Sequence, residues 1–266
     1  MTTETFQISA EQAETYEARF VPAIFAQWAG PVLDLAGVAE GDRVLDVGCG
    51  TGVLARAAAT RVGPAGTVTG LDMNEAMLRV ARRLAPAIDW RQGDASALPL
   101  PGSSFDVVAC QSALMFFPDA TAALRQMAHV CTPSGTVAVQ AYARLADRPA
   151  YGPWIEMVAR HAGAEAMSLL GTYWVHGDVS VLTTRFEAAG LDVTNVRSLL
   201  GLARFASVQE FVLTEIAATP LGDRITDRVQ QRIADESEDV LARYQSQTSI
   251  DLPLAAHIVA ARRPEP

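Results

Sequence analysis

The sequence is poor in the features that several classes of protein require. Among 266 residues there are three cysteines, Cys49, Cys110 and Cys131, too few and too scattered for a disulfide framework or a cysteine metal cluster. No apolar run reaches the ~20 residues that a membrane-spanning helix needs. Residues 1–10 show no cationic segment followed by an apolar one, so we expect no signal peptide. These absences favour a reducing, cytoplasmic location without membrane insertion.

Positive charge is also scarce. The 21 basic residues are all arginine and face 30 acidic ones, which gives a formal net charge of −9. No tract of five basic residues occurs. An acidic chain of this kind lacks the electrostatic footprint that binds nucleic acid, so we expect no nucleic-acid partner. Half of the residues are apolar and 19% are charged, which is the composition of a globular protein with a sizeable core.

Strand-like and helix-like segments alternate in the first half of the chain. The strand-like runs are RVLDV (43–47), TVTGLD (67–72), AIDWRQGD (87–94), SFDVVAC (104–110) and GTVAVQAYA (135–143). The helix-like runs between them cover 53–62, 74–85 and 121–131. Such alternation predicts a parallel sheet that is covered by helices on both faces.

A helical pattern precedes this alternation. Ser9 and Gln12 have the spacing of a capping box, and large apolar residues recur every four positions from Tyr16 onward. Because proline interrupts helices, we expect Pro22 to divide the segment into two helices, the second of which ends at Gly37.

After residue 143 the alternation stops. Residues 145–175 carry two prolines and several aromatic residues, which predicts a helical insertion rather than a simple loop. The remainder is predicted to contain a helix (178–190), a strand (191–202), two helices (207–219 and 224–246) and a final strand (251–263).

The run VLDVGCGTG (44–52) places three glycines at alternate positions after the first strand. Glycines at that point of a doubly wound fold let the backbone approach a ligand closely. The dinucleotide fingerprint G-x-G-x-x-G requires a third glycine, and Val53 occupies that position here. Asp46 would repel a pyrophosphate but would attract an amino group. The pattern therefore favours a ligand with an ammonium group and a ribose over a dinucleotide.

This run, followed by GLDMNEAML (70–78) and GDASALPLPGSSFDVV (93–108), resembles the class I S-adenosylmethionine-dependent methyltransferases. The resemblance is strong over residues 40–142. It implies an α/β fold with a Rossmann-like, seven-stranded, mostly parallel sheet, helices on both faces and a helical cap or lid. A single methyltransferase domain would comprise N-terminal cap helices (1–39), a cofactor-binding core (40–143), a helical insertion (144–177) and the C-terminal part of the sheet with added helices (178–266).

The resemblance also implies that the cofactor is S-adenosyl-L-methionine. In this family the glycine turn packs against the methionine part, an acid such as Asp72 accepts hydrogen bonds from the ribose hydroxyls, and residues such as Asp94 and Ala95 meet the adenine. For Met73 and Met77 a position in the core is the competing interpretation. The predicted cofactor-binding residues are Asp46, Gly48, Cys49, Gly50, Gly52, Asp72, Met73, Met77, Gly93, Asp94, Ala95 and Gln111.

The acceptor side is expected around CQSALMFFPD (110–119), because ligands of open α/β sheets lie beyond the carboxyl ends of the strands. With the N-terminal helices and the insertion, this segment resembles the small-molecule branch close to ubiquinone/menaquinone biosynthesis methyltransferases, in which extra helices form a lid. Burial in the core of the cap is the competing interpretation for most aromatic residues here. The predicted acceptor-binding residues are Tyr16, Phe20, Met115, Phe116, Tyr142, Trp154, Tyr173 and Trp174.

Methyl transfer by in-line displacement requires alignment of the acceptor and exclusion of water. A general base is needed only where the acceptor loses a proton. The candidate bases are His176, His161 and Glu165, none of which stands in a diagnostic constellation. No group of His, Asp and Glu has metal-ligand spacing, so we expect no metal.

Three functions remain open at this point. The favoured one is methylation of an O, N or C atom of a small apolar or aromatic metabolite in secondary metabolism. The alternatives are a peptide or protein N-methyltransferase and a noncatalytic cofactor-binding subunit. The expected partner is a small-molecule acceptor, and the expected state is a monomer or homodimer.

Overall fold

The computed structural model describes residues 8–217 and 219–265. Its centre is a seven-stranded sheet. The strands are β1 (Arg43–Val47), β2 (Thr67–Asp72), β3 (Asp89–Gln92), β4 (Phe105–Gln111), β5 (Cys131–Tyr142), β6 (Asp192–Phe205) and β7 (Ile250–Arg262). Their spatial order is β3-β2-β1-β4-β5-β7-β6; β7 pairs antiparallel with β5 and β6, and the other four pairs are parallel. The predicted Rossmann-like, mostly parallel sheet is confirmed.

Helices cover both faces of the sheet. In the described ranges they are α1 (Ala10–Thr15), α2 (Ala26–Ala36), α3 (Val53–Val62), α4 (Glu75–Leu84), α5 (Ala120–Val130), α6 (Tyr151–Ala162), α7 (Ala164–Gly171), α8 (Val179–Ala188), α9 (Val208–Ala217) and α10 (Asp227–Val240). The helices α2, α3 and α4 share one apolar cluster with the sheet, and α5 and α8 share the cluster on the opposite face. Because β1 and β4 lie between these layers, their side chains are buried on both sides, as is typical of parallel strands.

The segment before β1 differs from its prediction. Pro22 does not divide it: α1 continues into a π-helical segment, Tyr16–Phe25, and then directly into α2, which ends at Gly37 with φ 71°. Proline has no N–H to donate and its ring crowds the preceding turn, and the wider π turn contains it without a break. The capping box of Ser9 and Gln12 is confirmed.

Several element boundaries also differ from the prediction, by the most residues at the start of the fifth strand and at the end of α10. The fifth strand begins at Cys131, ahead of the predicted start at Gly135, because Cys131 pairs with Phe105 before the register shifts. The last long helix, α10, ends at Val240. A short 3-10 turn at Ala242–Tyr244 follows it.

A helical cap lies over the carboxyl ends of the central strands. Its core combines the π segment with α6, α7, α9 and α10. The rings of Trp154 on α6 and Phe211 on α9 stand 4.6 Å apart at the centre of this core. No helix in the described part of the chain is long and apolar enough to cross a membrane. The division of the chain into the four parts proposed above stays a prediction, and residues 1–7, 218 and 266 lie outside the described ranges.

Candidate active site

The turn after β1 holds three glycines that have different neighbours. Gly48, Gly50 and Gly52 have φ values of 71°, 54° and 87°. A Cβ on Gly48 would lie 2.6 Å from a side chain that follows β4, and a Cβ on Gly52 would lie 2.2 Å from the Trp90 ring. A Cβ on Gly50 would meet only Tyr16, at 3.9 Å, and would stand in open space. Gly48 and Gly52 thus permit close packing, whereas Gly50 offers its backbone to a ligand.

A cavity of about 390 Å³, called here the main cavity, opens at this turn. One side is formed by the ends of β1 to β4 and by the loops that follow them: Asp46, Gly48, Cys49, Gly50, Asp72, Met73, Asn74, Met77, Gly93, Asp94, Ala95, Gln111 and Ser112. The other side is aromatic and comes from the π segment, the turn after β4 and the cap: Tyr16, Phe20, Phe25, Phe116, Phe117 and Tyr173.

Asp72, at the end of β2, joins two loops of the main cavity. Its carboxylate oxygens accept hydrogen bonds from the backbone N–H groups of Gly50 and Asn74, each at 2.8 Å. Burial raises the pKa of Asp72, and these backbone donors oppose the shift. Each carboxylate oxygen has a second lone pair, so the side chain retains the capacity to accept hydrogen bonds from ligand hydroxyls.

Asp46 is a second carboxyl in the same cavity. It is 1% exposed and accepts a hydrogen bond from the Ala55 backbone N–H at 3.0 Å. Burial raises its pKa to about 7, and the nearby charge of Asp72 adds to the shift. Two carboxyls that disfavour each other's ionisation favour a ligand that brings positive charge, because a cation stabilises their charged forms.

Gln111, at the end of β4, has an unmatched acceptor. Its Nε2 donates to the backbone carbonyl of Phe25 at 3.0 Å, which ties β4 to the π segment. Its Oε1 is buried and finds no hydrogen-bond donor within the described residues. Because buried polar atoms are nearly always paired, an unpaired acceptor in a residue that lines the main cavity points to a donor on a ligand.

Comparison with known proteins identifies the family. Residues 44–135 match a family model described as a methyltransferase domain. The chain is 32% identical over 202 residues to the ubiquinone/menaquinone biosynthesis C-methyltransferase UbiE of Bordetella parapertussis, which covers 71% of this chain and 78% of that protein. The chain belongs to the S-adenosylmethionine-dependent methyltransferases. The protein of the same name from Burkholderia vietnamiensis is 34% identical over 191 residues, which is 65% of this methyltransferase and 77% of the relative.

Solved structures share the fold of the methyltransferase. A structure described as a putative methyltransferase from Bacillus halodurans has a TM-score of 0.63 at 18% identity, covering 89% of this chain and 99% of the other. Phosphoethanolamine N-methyltransferase 2 from Haemonchus contortus, solved with S-adenosylhomocysteine, has a TM-score of 0.56 at 17% identity. The match covers 90% of this chain and 53% of the other. These identities show the fold alone. Membership of the family makes S-adenosyl-L-methionine the cofactor.

The main cavity fits this cofactor. S-adenosyl-L-methionine carries an ammonium and a sulfonium, and the cavity supplies the carboxyls of Asp46 and Asp72. A bound ligand would also supply a hydrogen-bond donor to the unpaired Oε1 of Gln111 and would fill the open space over Gly50.

The structure brings most of the predicted site together. Every predicted cofactor-binding residue lines the main cavity except Gly52, which packs against Trp90 instead. Among the predicted acceptor residues, those that line the main cavity are Tyr16, Phe20, Phe116 and Tyr173. Met115 is buried in the core of the cap. A second, smaller cavity is lined by Tyr142, Trp154 and Trp174, and also by Phe20 and Tyr173, which line both cavities.

None of the three candidate bases lines either cavity. His161 lies 2.6 Å from Glu236 on α10, and Glu165 forms an ion pair with Arg224 at the surface of the cap. The structure does not bring these two residues to the site, and neither is retained as a base. His176 lies 3.3 Å from a backbone carbonyl oxygen in the turn after β4, where burial lowers its pKa.

The three cysteines are buried and free. Burial raises the pKa of all three thiols, to about 11 for Cys131, so they stay protonated near neutral pH. Cys49 is therefore a small residue of the turn rather than a nucleophile. In the ranges that the structure describes, no group of three His, Cys, Asp or Glu side chains is arranged to hold a metal ion.

The second cavity, called here the inner cavity, has a volume of about 20 Å³ and lies behind the aromatic side of the main cavity. It contains one carboxyl, Glu215 of α9, whose Oε1 accepts a hydrogen bond from the Tyr151 hydroxyl at 2.9 Å. Burial raises the pKa of Glu215 to about 7, and the hydrogen bond from Tyr151 opposes the shift. The lining residues are Phe20, Ile24, Phe25, Tyr142, Tyr151, Trp154, Ile155, Leu170, Tyr173, Trp174, Glu215 and Leu254.

Sequence reasoning missed Phe25 and Glu215. Phe25 lies five positions after Phe20, and the two face the same cavities because the π segment has a longer repeat than the α-helix. For Glu215, the sequence contains a signal that points to burial. It lies on the apolar face of α9, where it continues the helical spacing of the buried residues Val208, Phe211 and Val212.

We expect Asp72→Ala to weaken binding of S-adenosylhomocysteine by about tenfold to a hundredfold, because hydrogen bonds to a charged group contribute about 1.5–3 kcal/mol. Loss of the acceptor for the Gly50 N–H would also loosen the turn. Calorimetric titration measures the affinity. Asp119→Ala is the matched control, since Asp119 also accepts a backbone N–H, at 2.9 Å, but caps α5 outside the cavity. Unchanged affinity in Asp72→Ala would show that its carboxylate does not contact the cofactor.

We expect Glu215→Gln to become more stable relative to the wild type as pH rises. The folded pKa of Glu215, about 7, exceeds the unfolded value of ~4.3, so its stabilising contribution is complete below pH ~4.3 and is lost as pH rises through 7. The full change is on the order of 3 kcal/mol in the free energy of unfolding. Urea unfolding between pH 5 and pH 8.5 measures it, with the exposed Glu156→Gln as control. A pH-independent difference would contradict the assignment.

Proposed function

We propose that this methyltransferase transfers the methyl group of S-adenosyl-L-methionine to a carbon atom of a small aromatic acceptor. The observation that carries the proposal is a single cavity whose one side is the glycine turn and whose other side is aromatic. Aromatic side chains stack on a ring and exclude water from it. The names of the relatives from Bordetella parapertussis and Burkholderia vietnamiensis, C-methyltransferases of ubiquinone and menaquinone biosynthesis, support carbon as the acceptor atom.

The cofactor would be held by the strand-end side of the main cavity. The backbone at Gly48 and Gly50 would meet the methionine part, and the carboxyl of Asp46 would attract its ammonium. Asp72 would accept hydrogen bonds from the ribose hydroxyls, while Asp94 and Ala95 would border the adenine. All of these residues line the main cavity. They follow one another along the chain from β1 to the loop after β3.

The methyl-transfer step would depend on the aromatic side of the main cavity. When bound, S-adenosyl-L-methionine supplies a methyl group activated by its sulfonium. Tyr16 stacks on Phe20 and Phe25 with ring centroids 5.7 Å and 5.2 Å away. These rings would exclude water, which competes with the acceptor, and their faces would attract the sulfonium charge. Alignment of the acceptor atom with the methyl group then accounts for most of the rate enhancement.

The test is methyl transfer from S-adenosyl-[methyl-¹³C]methionine to a panel of hydroquinones, phenols, amines and peptides with free N-termini. We expect mass spectrometry to detect label on the ring carbon of an aromatic member. Label on a peptide amine would favour the peptide N-methyltransferase instead. Cofactor binding without label on any member of the panel would favour a noncatalytic subunit.

The cap is expected to close over the bound acceptor. The π segment supplies three rings of the aromatic side of the main cavity and residues 145–175 supply the ring of Tyr173, and lids are drawn from the less stable parts of a fold. Hydrogen exchange should show both segments more strongly protected once S-adenosylhomocysteine and an acceptor are bound. If hydrogen exchange in these segments is the same with and without both ligands, the cap is a rigid structural element and does not close.

We also propose that the enzyme works in the cytoplasm on a small-molecule acceptor, without nucleic acid as substrate, as a monomer or homodimer. The formal net charge of −9 supports the exclusion of nucleic acid, because a phosphate backbone would be repelled.

A further inference from the structure

Glu215 is a buried carboxyl that has one hydrogen-bond partner among the residues that the structure describes. It is 6% exposed, and the Tyr151 hydroxyl is the group that donates to it. An ionised carboxylate has about four acceptor positions, so most of its capacity is unused. The position lies on the apolar face of α9, where an apolar side chain would pack without the free-energy penalty of burying a carboxyl. A buried ionisable group beside a ligand cavity is a candidate for function.

Around Glu215 the described part of the chain places phenols and no cation. The titratable groups that face it are the hydroxyls of Tyr151 on α6, Tyr142 at the end of β5 and Tyr173 in the 3-10 turn after α7. From the π segment, α6 and β7 the cavity receives apolar side chains. Within the described ranges, no arginine or histidine contributes to the pKa shift of this carboxyl.

Tyr151 shows which ligand chemistry the carboxyl accepts. A phenol hydroxyl already donates to Oε1 at 2.9 Å, in a cavity whose walls are aromatic. A second phenol that donates to the same carboxylate would repeat this interaction, with its ring among the rings of the wall.

The position of the inner cavity determines which way such a phenol would face. Phe20, Phe25 and Tyr173 line both cavities and so form the wall between them. The inner cavity contains none of the glycine-turn residues. A hydroxyl held at Glu215 therefore points away from the cofactor, and a ring carbon faces the main cavity. A volume of about 20 Å³ admits one small group, such as a hydroxyl. Entry of the hydroxyl would require the side chains of the wall to move aside for the ring.

On the basis of the proposed function, we propose that the acceptor is a phenol whose hydroxyl enters the inner cavity. The hydroxyl donates a hydrogen bond to Glu215 and gives up its proton to that carboxylate.

The O–H bond breaks and its proton moves to the Glu215 carboxylate, while the electron pair enters the ring. A ring carbon forms a bond to the methyl carbon, and the S–CH₃ bond breaks with its electron pair passing to sulfur, which neutralises the sulfonium. The methylated carbon then loses its own proton to water, and Glu215 returns its proton to the oxygen. One proton is released for each methyl group transferred.

The test compares 4-ethylphenol with ethylbenzene, a pair that differs in the hydroxyl alone. Ligand-observed NMR titration at pH 8 on the enzyme saturated with S-adenosylhomocysteine measures both affinities without any methyl transfer. We expect the phenol to bind about tenfold to a hundredfold more tightly, as for a hydrogen bond to a charged acceptor. In Glu215→Gln this preference should fall to about twofold or less, whereas Glu156→Gln on the exposed side of α6 should retain it.

A wild-type enzyme without the preference, or a preference that survives Glu215→Gln, would overturn the proposal. Failure of both compounds to bind counts as the same result. Because the titration requires no turnover, these outcomes are independent of the isotope test of methyl transfer.

Tyr151→Phe supplies a second readout. The hydrogen bond from Tyr151 lowers the pKa of Glu215, so its removal raises that pKa. The pH at which the preference for 4-ethylphenol is half-maximal should therefore move upward in Tyr151→Phe. An unchanged midpoint would show that Glu215 is not the group that recognises the hydroxyl.

Discussion

Replacement of Gly50 by valine is expected to abolish detectable binding of S-adenosyl-L-methionine. Gly50 lines the main cavity with φ 54°, and a Cβ there would stand in the space proposed for the cofactor. A β-branched residue is rarely found in this backbone conformation, so the turn would also shift or be strained by about 1–2 kcal/mol. Calorimetric titration of the folded variant measures the affinity.

Gly163→Val is the matched control for the backbone effect. Gly163 lies between α6 and α7 with φ 92°, and no heavy atom lies within 4 Å of a Cβ built on it. With ψ 167°, Gly163 lies in a region that is essentially restricted to glycine, so Gly163→Val should lose at least as much stability as Gly50→Val and yet keep its affinity for the cofactor. Normal affinity in Gly50→Val would mean that the cofactor lies elsewhere than at this turn.

Replacement of Trp154 by alanine is expected to lower the free energy of unfolding by about 3–5 kcal/mol. Trp154 is 0% exposed, packs on Phe211 and donates from Nε1 to Ser237 Oγ at 3.0 Å. The variant loses a large buried ring and leaves a hydroxyl of α10 short of a donor. Denaturant unfolding followed by circular dichroism measures the change.

Trp154→Phe and Ser237→Ala separate the two contributions. Trp154→Phe keeps a ring and loses the donor, while Ser237→Ala removes its partner, so each should cost about 1–3 kcal/mol. The Trp154→Ala variant, below its unfolding temperature, should bind the cofactor normally, because Trp154 does not line the main cavity. A Trp154→Ala variant that is as stable as the wild type would contradict the placement of this residue at the centre of the cap.

The cofactor side could be predicted from the sequence because its signals are local. The glycine run after β1 and the acid at the end of β2 lie at strand ends, and parallel strands bring those ends to one edge of the sheet. Asp46 and Asp72 thus reach the same cavity although they are distant in the chain. Gly52 was assigned to the cofactor because sequence spacing does not distinguish a glycine that meets a ligand from one that meets Trp90.

The acceptor side was harder to predict because it depends on packing between distant segments. A four-residue repeat predicts a helix that carries Tyr16 and Phe20 on one face, but the π segment changes the repeat and brings Phe25 beside them. The acidic side chain at the inner cavity, Glu215, lies on a helix far from every motif. His161 was considered on residue type alone, and only the structure shows that it turns toward α10.

The most direct test of the central claim, that the main cavity at the glycine turn holds S-adenosyl-L-methionine, is its calorimetric titration into the wild-type enzyme with NAD as competitor. We expect one cofactor per chain, no displacement by NAD, and affinity weakened in Asp72→Ala and lost in Gly50→Val. NAD binding as tight as that of S-adenosyl-L-methionine, or wild-type affinity in Gly50→Val, would contradict the claim.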